Sequence, residues 1–237
     1  MAVHVRAAAL ELLRYPSFSL SALLFPATLF LVFRHAYAQP ADARMAGFAA
    51  VAILGVVFFQ FGVGIANERA SGWEVFVRTL PLRPRVRIGA RVCSALLFGT
   101  AAAGGVVAVA AATTPVGLPL VRWLALAAAL LLGGVPFGLL GITIGYAVRP
   151  RAALPLANLL YLPLSYAGGL WAGPAHAVAG ARALDLVPTH AWARLLWASV
   201  GASGFQAVSV VLLGAWAAVF GVAAVAVYRR DEGERFA

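Results

Sequence analysis

The sequence predicts an all-α integral membrane protein with six transmembrane helices, and three observations carry that prediction. Of 237 residues, 63% are hydrophobic and 11% charged, with a mean hydropathy of +0.92, which is more apolar surface than a water-facing globule can cover. The apolar residues fall into runs long enough to span a bilayer. The 18 basic residues are all arginine and sit in the gaps between those runs, so the net charge of +10 reads as orientation in a membrane and implies no nucleic-acid partner. Residues 1–237 therefore read as a single transmembrane domain.

Residues 1–14 mix His4, Arg6, Glu11 and Arg14 with Val3, Leu10, Leu12 and Leu13, which predicts an N-terminal interfacial helix. The uncharged run after it exceeds the apolar core of a signal peptide, so Ala36-Tyr37-Ala38 is not read as a cleavage site. That run is the first span, about 17–33, with Pro26 as a kink. A short loop with Pro40 and Asp42 leads to span two, about 46–66.

Asn67 to Arg91 is the one long polar interruption, and it carries Arg69, Arg78, Arg83, Arg85, Arg87 and Arg91. Within it Ser71 and Glu74 fit a capping box, so a helix is expected to start there. Trp73, Phe76, Val77 and Leu80 form an apolar stripe, with Glu74 and Arg78 paired at i,i+4 beside it. Pro81 and Pro84 stop the helix. The expectation is a short amphipathic cytoplasmic helix that lies on a membrane surface or in a partner's groove.

Span three, about 92–113, contains the only cysteine, Cys93, expected as a small apolar core residue. Thr114 to Gly117 is a turn. Span four, about 123–148, holds Gly133, Gly134, Gly138, Gly141 and Gly145, a spacing that lets helix backbones approach closely in lipid. The sequence leaves open whether that contact lies within or between subunits. After Arg149-Pro150-Arg151 comes span five, about 152–171, with Asn158, Tyr161 and Tyr166 and ending at Trp171. Gly168 to Gly204 is too apolar for a solvated loop and too broken for a span. Two short re-entrant helices are expected there, with Trp171, Trp192 and Trp197 at headgroup level and His190 nearby. Span six, about 205–228, leads into a soluble tail from Arg229 to Arg235.

Thirteen arginines fall on one side of six such spans and five on the other, so both termini and the long loop are expected in the cytoplasm. The chain has no lysine and no P-loop, so it is not expected to hydrolyse ATP by that route. His4, His35, His176 and His190 have no neighbour at metal-ligand spacing, so no metal is expected. Ser165, Asp185 and His190 lack a nucleophile motif around the serine. With no charge in the spans to relay a proton or sodium ion, energy is expected from outside the chain.

At the long loop the sequence resembles the membrane (permease) subunit of ABC transporters of the type-2 exporter, or ABC-2, family. The residues that carry the resemblance are Glu68-Arg69, Gly72, Glu74 and Leu80-Pro81, with Leu186 to Ala191 and Arg194 similar to the family's segment before its last span. Family members have Gly-Thr where this chain has Gly72-Trp73, and Gly-Lys where it has Ala90-Arg91. The resemblance implies that the loop helix is a coupling helix, so Glu68, Arg69, Gly72, Trp73, Glu74, Phe76, Val77, Leu80 and Pro81 would engage a separate ABC ATPase subunit, two copies of which carry ATP and Mg. It also implies a second permease subunit, identical or related, and export of a hydrophobic or amphiphilic substrate across the cytoplasmic membrane. Asn158, Tyr161, Tyr166, Trp171 and His190 are then candidates for the pathway or its outer gate. The alternative is a non-transporting membrane scaffold that uses the loop only to recruit a partner.

Overall fold

The computed structural model of the protein describes residues 16–36, 39–69, 84–174 and 186–236, and every regular element among them is helical. We number the helices α1 (Pro16–Phe33), α2 (Ala41–Glu68), α3 (Pro84–Thr113), α4 (Leu120–Ala147), α5 (Pro150–Ala167), α6 (Pro188–Ser199) and α7 (Ala207–Phe236). Among the described residues, α2, α3, α4 and α7 are long and apolar enough to cross a membrane. The chain is a multi-pass membrane protein.

α2 is the centre of the bundle. In its most apolar stretch 72% of residues are buried, against 11% for α7, so the other helices wrap around α2 while α7 presents most of its surface outward. The cause is composition: Ala43, Ala46, Gly47, Ala49, Ala50 and Ala52 are small enough to admit neighbouring backbones. Leu170, in the turn after α5, packs its carbonyl against Gly47 so closely that no Cβ would fit there. From Val56 to Val63 the α2 ladder is π-helical, closing i→i+5 bonds and so holding an extra residue per turn. Hydropathy alone gives no sign of this segment, because it reports apolarity and not hydrogen-bond register.

The glycines of α4 make contacts within the subunit. A Cβ at Gly141 would lie 2.6 Å from the Val57 carbonyl, one at Gly145 would lie 2.6 Å from Ile65 Cβ, and one at Gly134 would lie 2.7 Å from Leu96 Cδ2. Each is shorter than a real Cβ contact. At Gly141 and Gly145 the neighbour is backbone or a Cβ of α2, so α4 comes this close to α2 because these positions lack side chains, whereas at Gly134 the Leu96 side chain of α3 could give way.

Several expectations are corrected. Cys93 is exposed on α3 rather than in the core. Helix α3 begins at Pro84, whose missing N–H and fixed φ suit a first helical position as well as they end the preceding segment. Helix α5 ends at Ala167, earlier than expected, because Gly168 to Gly173 turn the chain, with Gly169 and Gly173 at positive φ. The charged residues from Arg229 onward continue α7 as helix to Phe236, with Arg229 and Arg230 exposed but Asp231 buried rather than solvated. The expected N-terminal interfacial helix and residues 175–185 lie outside the described residues.

Candidate functional site

Two places gather polar or aromatic side chains from several helices: the cytoplasm-facing ends by the sequence reading, and the opposite end around α6. At the first, Glu68 and Arg69 close α2 and point in different directions. Arg91 of α3 donates from Nη1 and Nη2 to Glu68 Oε2, both at 3.0 Å, tying together the two ends of the long loop. Arg69 turns to α4 and α7. Its Nη1 donates to the carbonyls of Gly145 (3.0 Å), Tyr146 (2.6 Å) and Val148 (3.3 Å), and its Nη2 donates to the carboxylate of Asp231. Its guanidinium carbon also sits 5.8 Å from the Tyr146 ring centroid, and Tyr146 meets Tyr228 of α7 edge-on at 5.1 Å.

The chemistry of that arrangement is direct. The last carbonyls of a helix lack intrahelical donors and carry the negative end of its dipole, so a cation from another helix satisfies both. Arg69 performs this for α4 while pairing with Asp231, whose side chain is only 5% exposed. A carboxylate buried to that degree is held there by a partner charge. Sequence reasoning found Glu68 and Arg69 through the resemblance, but Asp231 looked like one charge in a solvated run. The other residues expected in the coupling element, Gly72, Trp73, Glu74, Phe76, Val77, Leu80 and Pro81, lie outside the described residues.

At the opposite end, α6 is a short helix sunk into the bundle. Trp192 is fully buried, donates from Nε1 to the Ala129 carbonyl at 2.8 Å and stacks on Phe137 with ring centroids 5.2 Å apart. At 1.5 Å per residue, Ala129 lies about 14 Å and Phe137 about 26 Å down α4 from Leu120, so α6 dips well inside the span. Its far end rises to Val200, whose carbonyl accepts from Arg122 Nη1 at 2.8 Å near the start of α4. Gly201, at positive φ, leaves space for that guanidinium. A short helix, Pro188–Ser199, thus lies within the stretch where two were expected. Trp192 and Trp197, expected at headgroup level, are both buried.

The candidate gate residues are not assembled into one site. Tyr161 is buried against the π-helical segment, 6.4 Å from Phe58 and 5.3 Å from Phe59 between ring centroids. Trp171 donates to Ser165 Oγ at 3.0 Å and packs beside Phe33 and Phe48. His190 is buried on α6, with its ring 6.4 Å from that of Trp197. Asn158 and Tyr166 are exposed on α5, and Asn158 returns its amide to the Leu154 carbonyl at 3.1 Å. Sequence reasoning missed Gln60 in the π-helical segment, whose Oε1 is buried with no hydrogen-bond partner among the described residues. No group of three or more His, Cys, Asp or Glu among the described residues could hold a metal ion.

Helices of this length and apolarity, built round a buried central helix, define the chain as a membrane protein with several spans. No protein-family model matches it. Over 119 residues it is 25% identical to the "Putative transport permease YvfS" of Bacillus subtilis (strain 168), a match that covers 50% of this chain and 49% of that protein. The matched chain thus spans about half the length of that curated relative.

Proposed function

We propose that the chain is the permease subunit of an ATP-driven exporter of the ABC-2 type. In this reading six helices span the cytoplasmic membrane with both termini inside: α1 to α5 and α7, with α6 re-entrant from the outside. A separate ATPase subunit, present in two copies with ATP and Mg, docks on the loop between α2 and α3, and a second permease subunit completes the pathway. The chain itself is not an enzyme. The observation that carries the reading is the loop base, where Glu68 and Arg69 fasten the loop's first residues to α3, α4 and α7, an arrangement suited to receiving force from a cytoplasmic partner. The similarity to a protein named as a transport permease supports it. Uncharged spans favour a hydrophobic or amphiphilic substrate, drug-like or lipid-like.

The test is copurification of a P-loop ATPase with the chain from native membranes, comparing the natural protein with Phe76→Asp/Val77→Asp. The double variant should insert normally and lose the ATPase, since two charges on the apolar stripe remove its docking energy. Unchanged copurification rejects docking through this stripe. A partner that copurifies but lacks a P-loop favours the scaffold instead.

A further inference from the structure

We infer that Asp231 is a positioning residue that, through Arg69, makes the cytoplasmic ends of α7 and α4 move as one piece with the start of the loop between α2 and α3. The geometry supplies three linked observations. A single guanidinium bridges the Asp231 carboxylate and three carbonyls at the end of α4, so α2, α4 and α7 meet at one side chain. Tyr146 sits beneath that guanidinium and against Tyr228, giving α4 and α7 a second contact at the same level. Glu68, the neighbour of Arg69, accepts from Arg91, a partly exposed pair that links the loop's entry to its exit.

Burial makes Asp231 decisive. Its side chain is 5% exposed, and a carboxylate there adds a charge-assisted bond to the carbonyl contacts that hold Arg69, whereas a neutral side chain loses that charge and weakens the tie to α7. Displacement of residues 68–69 is then delivered to α7, which has the smallest buried share of the four span-length helices and packs chiefly along α4. As a transmission element for a partner's movement this rests on the exporter reading; the mechanical link is a property of this chain alone.

The experiment is hydrogen exchange on the full chain in lipid nanodiscs, without any partner. Asp231→Asn should speed exchange about tenfold at residues 66–69 and 145–148, segments far from the substitution in sequence, because local opening there no longer breaks a shared clamp. The charge swap Arg69→Asp/Asp231→Arg should bring those rates back toward the natural protein's. Arg69→Lys, which keeps the ion pair and loses the fork, should loosen 145–148 and leave 225–231 protected. A change confined to 225–236, or a swap no better than the single variants, overturns the link. With an ATPase bound, nucleotide-dependent changes at 225–231 should vanish in Asp231→Asn while copurification persists. Loss of copurification in the natural protein would reject the exporter reading and leave the exchange result standing.

Discussion

Trp192 of α6 occupies the notch that Gly133 leaves on α4: any Cβ at Gly133 would fall inside the indole ring. The pairing fixes α6 along α4, since the indole Nε1 donates to the Ala129 carbonyl one turn away. Gly133→Ala should therefore expel the ring and cost about as much as an overpacked core position, roughly 1–3 kcal/mol. Trp192→Ala should cost more, about 3–5 kcal/mol, from the cavity it leaves. Thermal unfolding in mild detergent measures both. Equal stability of Gly133→Ala and the natural protein would show that α6 is not seated by this contact.

Side-chain burial divides the residues of α6 for chemical labelling. In a protein with Cys93 replaced, Ser199→Cys, near the outer end of α6, should react with a membrane-impermeant thiol reagent added outside. Thr189→Cys should stay protected until the bundle is unfolded, because Thr189 is fully buried against Gly168. Reaction of Ser199→Cys from the cytoplasmic side alone would invert the proposed orientation.

The two charge pairs at the loop base should differ in worth. Glu68 is half exposed, so Glu68→Gln should change stability by less than about 1 kcal/mol. Asp231 and Arg69 are mostly buried, and removing the carboxylate takes the counter-charge from a buried guanidinium that keeps its carbonyl contacts, so Asp231→Leu should cost about 3 kcal/mol, the low end for a broken buried pair. Unfolding midpoints of the two variants in the same detergent make the comparison. A larger loss for Glu68→Gln would reverse this ranking of the clamp's two prongs.

The helices of the fold were legible because hydropathy and length report directly on bilayer-scale apolar segments. Helix α4 was read at 123–148 and lies at Leu120–Ala147. What escaped was whatever depends on a partner in space. Asp231 belongs to a charged run that reads as solvated, and its burial is matched by Arg69, 162 residues away. Trp192 reads as an interfacial anchor because indole favours headgroups, yet a glycine notch and a backbone carbonyl on α4 that also accepts its N–H give it a deeper place. At the candidate site, Glu68 and Arg69 were legible from the loop motif, while their receivers on α4 and α7 were not.

The π-helical segment has a consequence for the phase of α2. Each residue advances an α-helix by about 100°, so one surplus residue taken up between Val56 and Val63 turns everything below it by roughly that angle relative to an unbroken helix. The upper half can thus keep its alanine stripe on the neighbours that surround it while the lower half aims Ile65 at Gly145 and Arg69 at Asp231. A deletion of one residue inside the segment would let the ladder close as ordinary α-helix with both halves still in step, whereas the same deletion a turn higher or lower would set the two halves against each other.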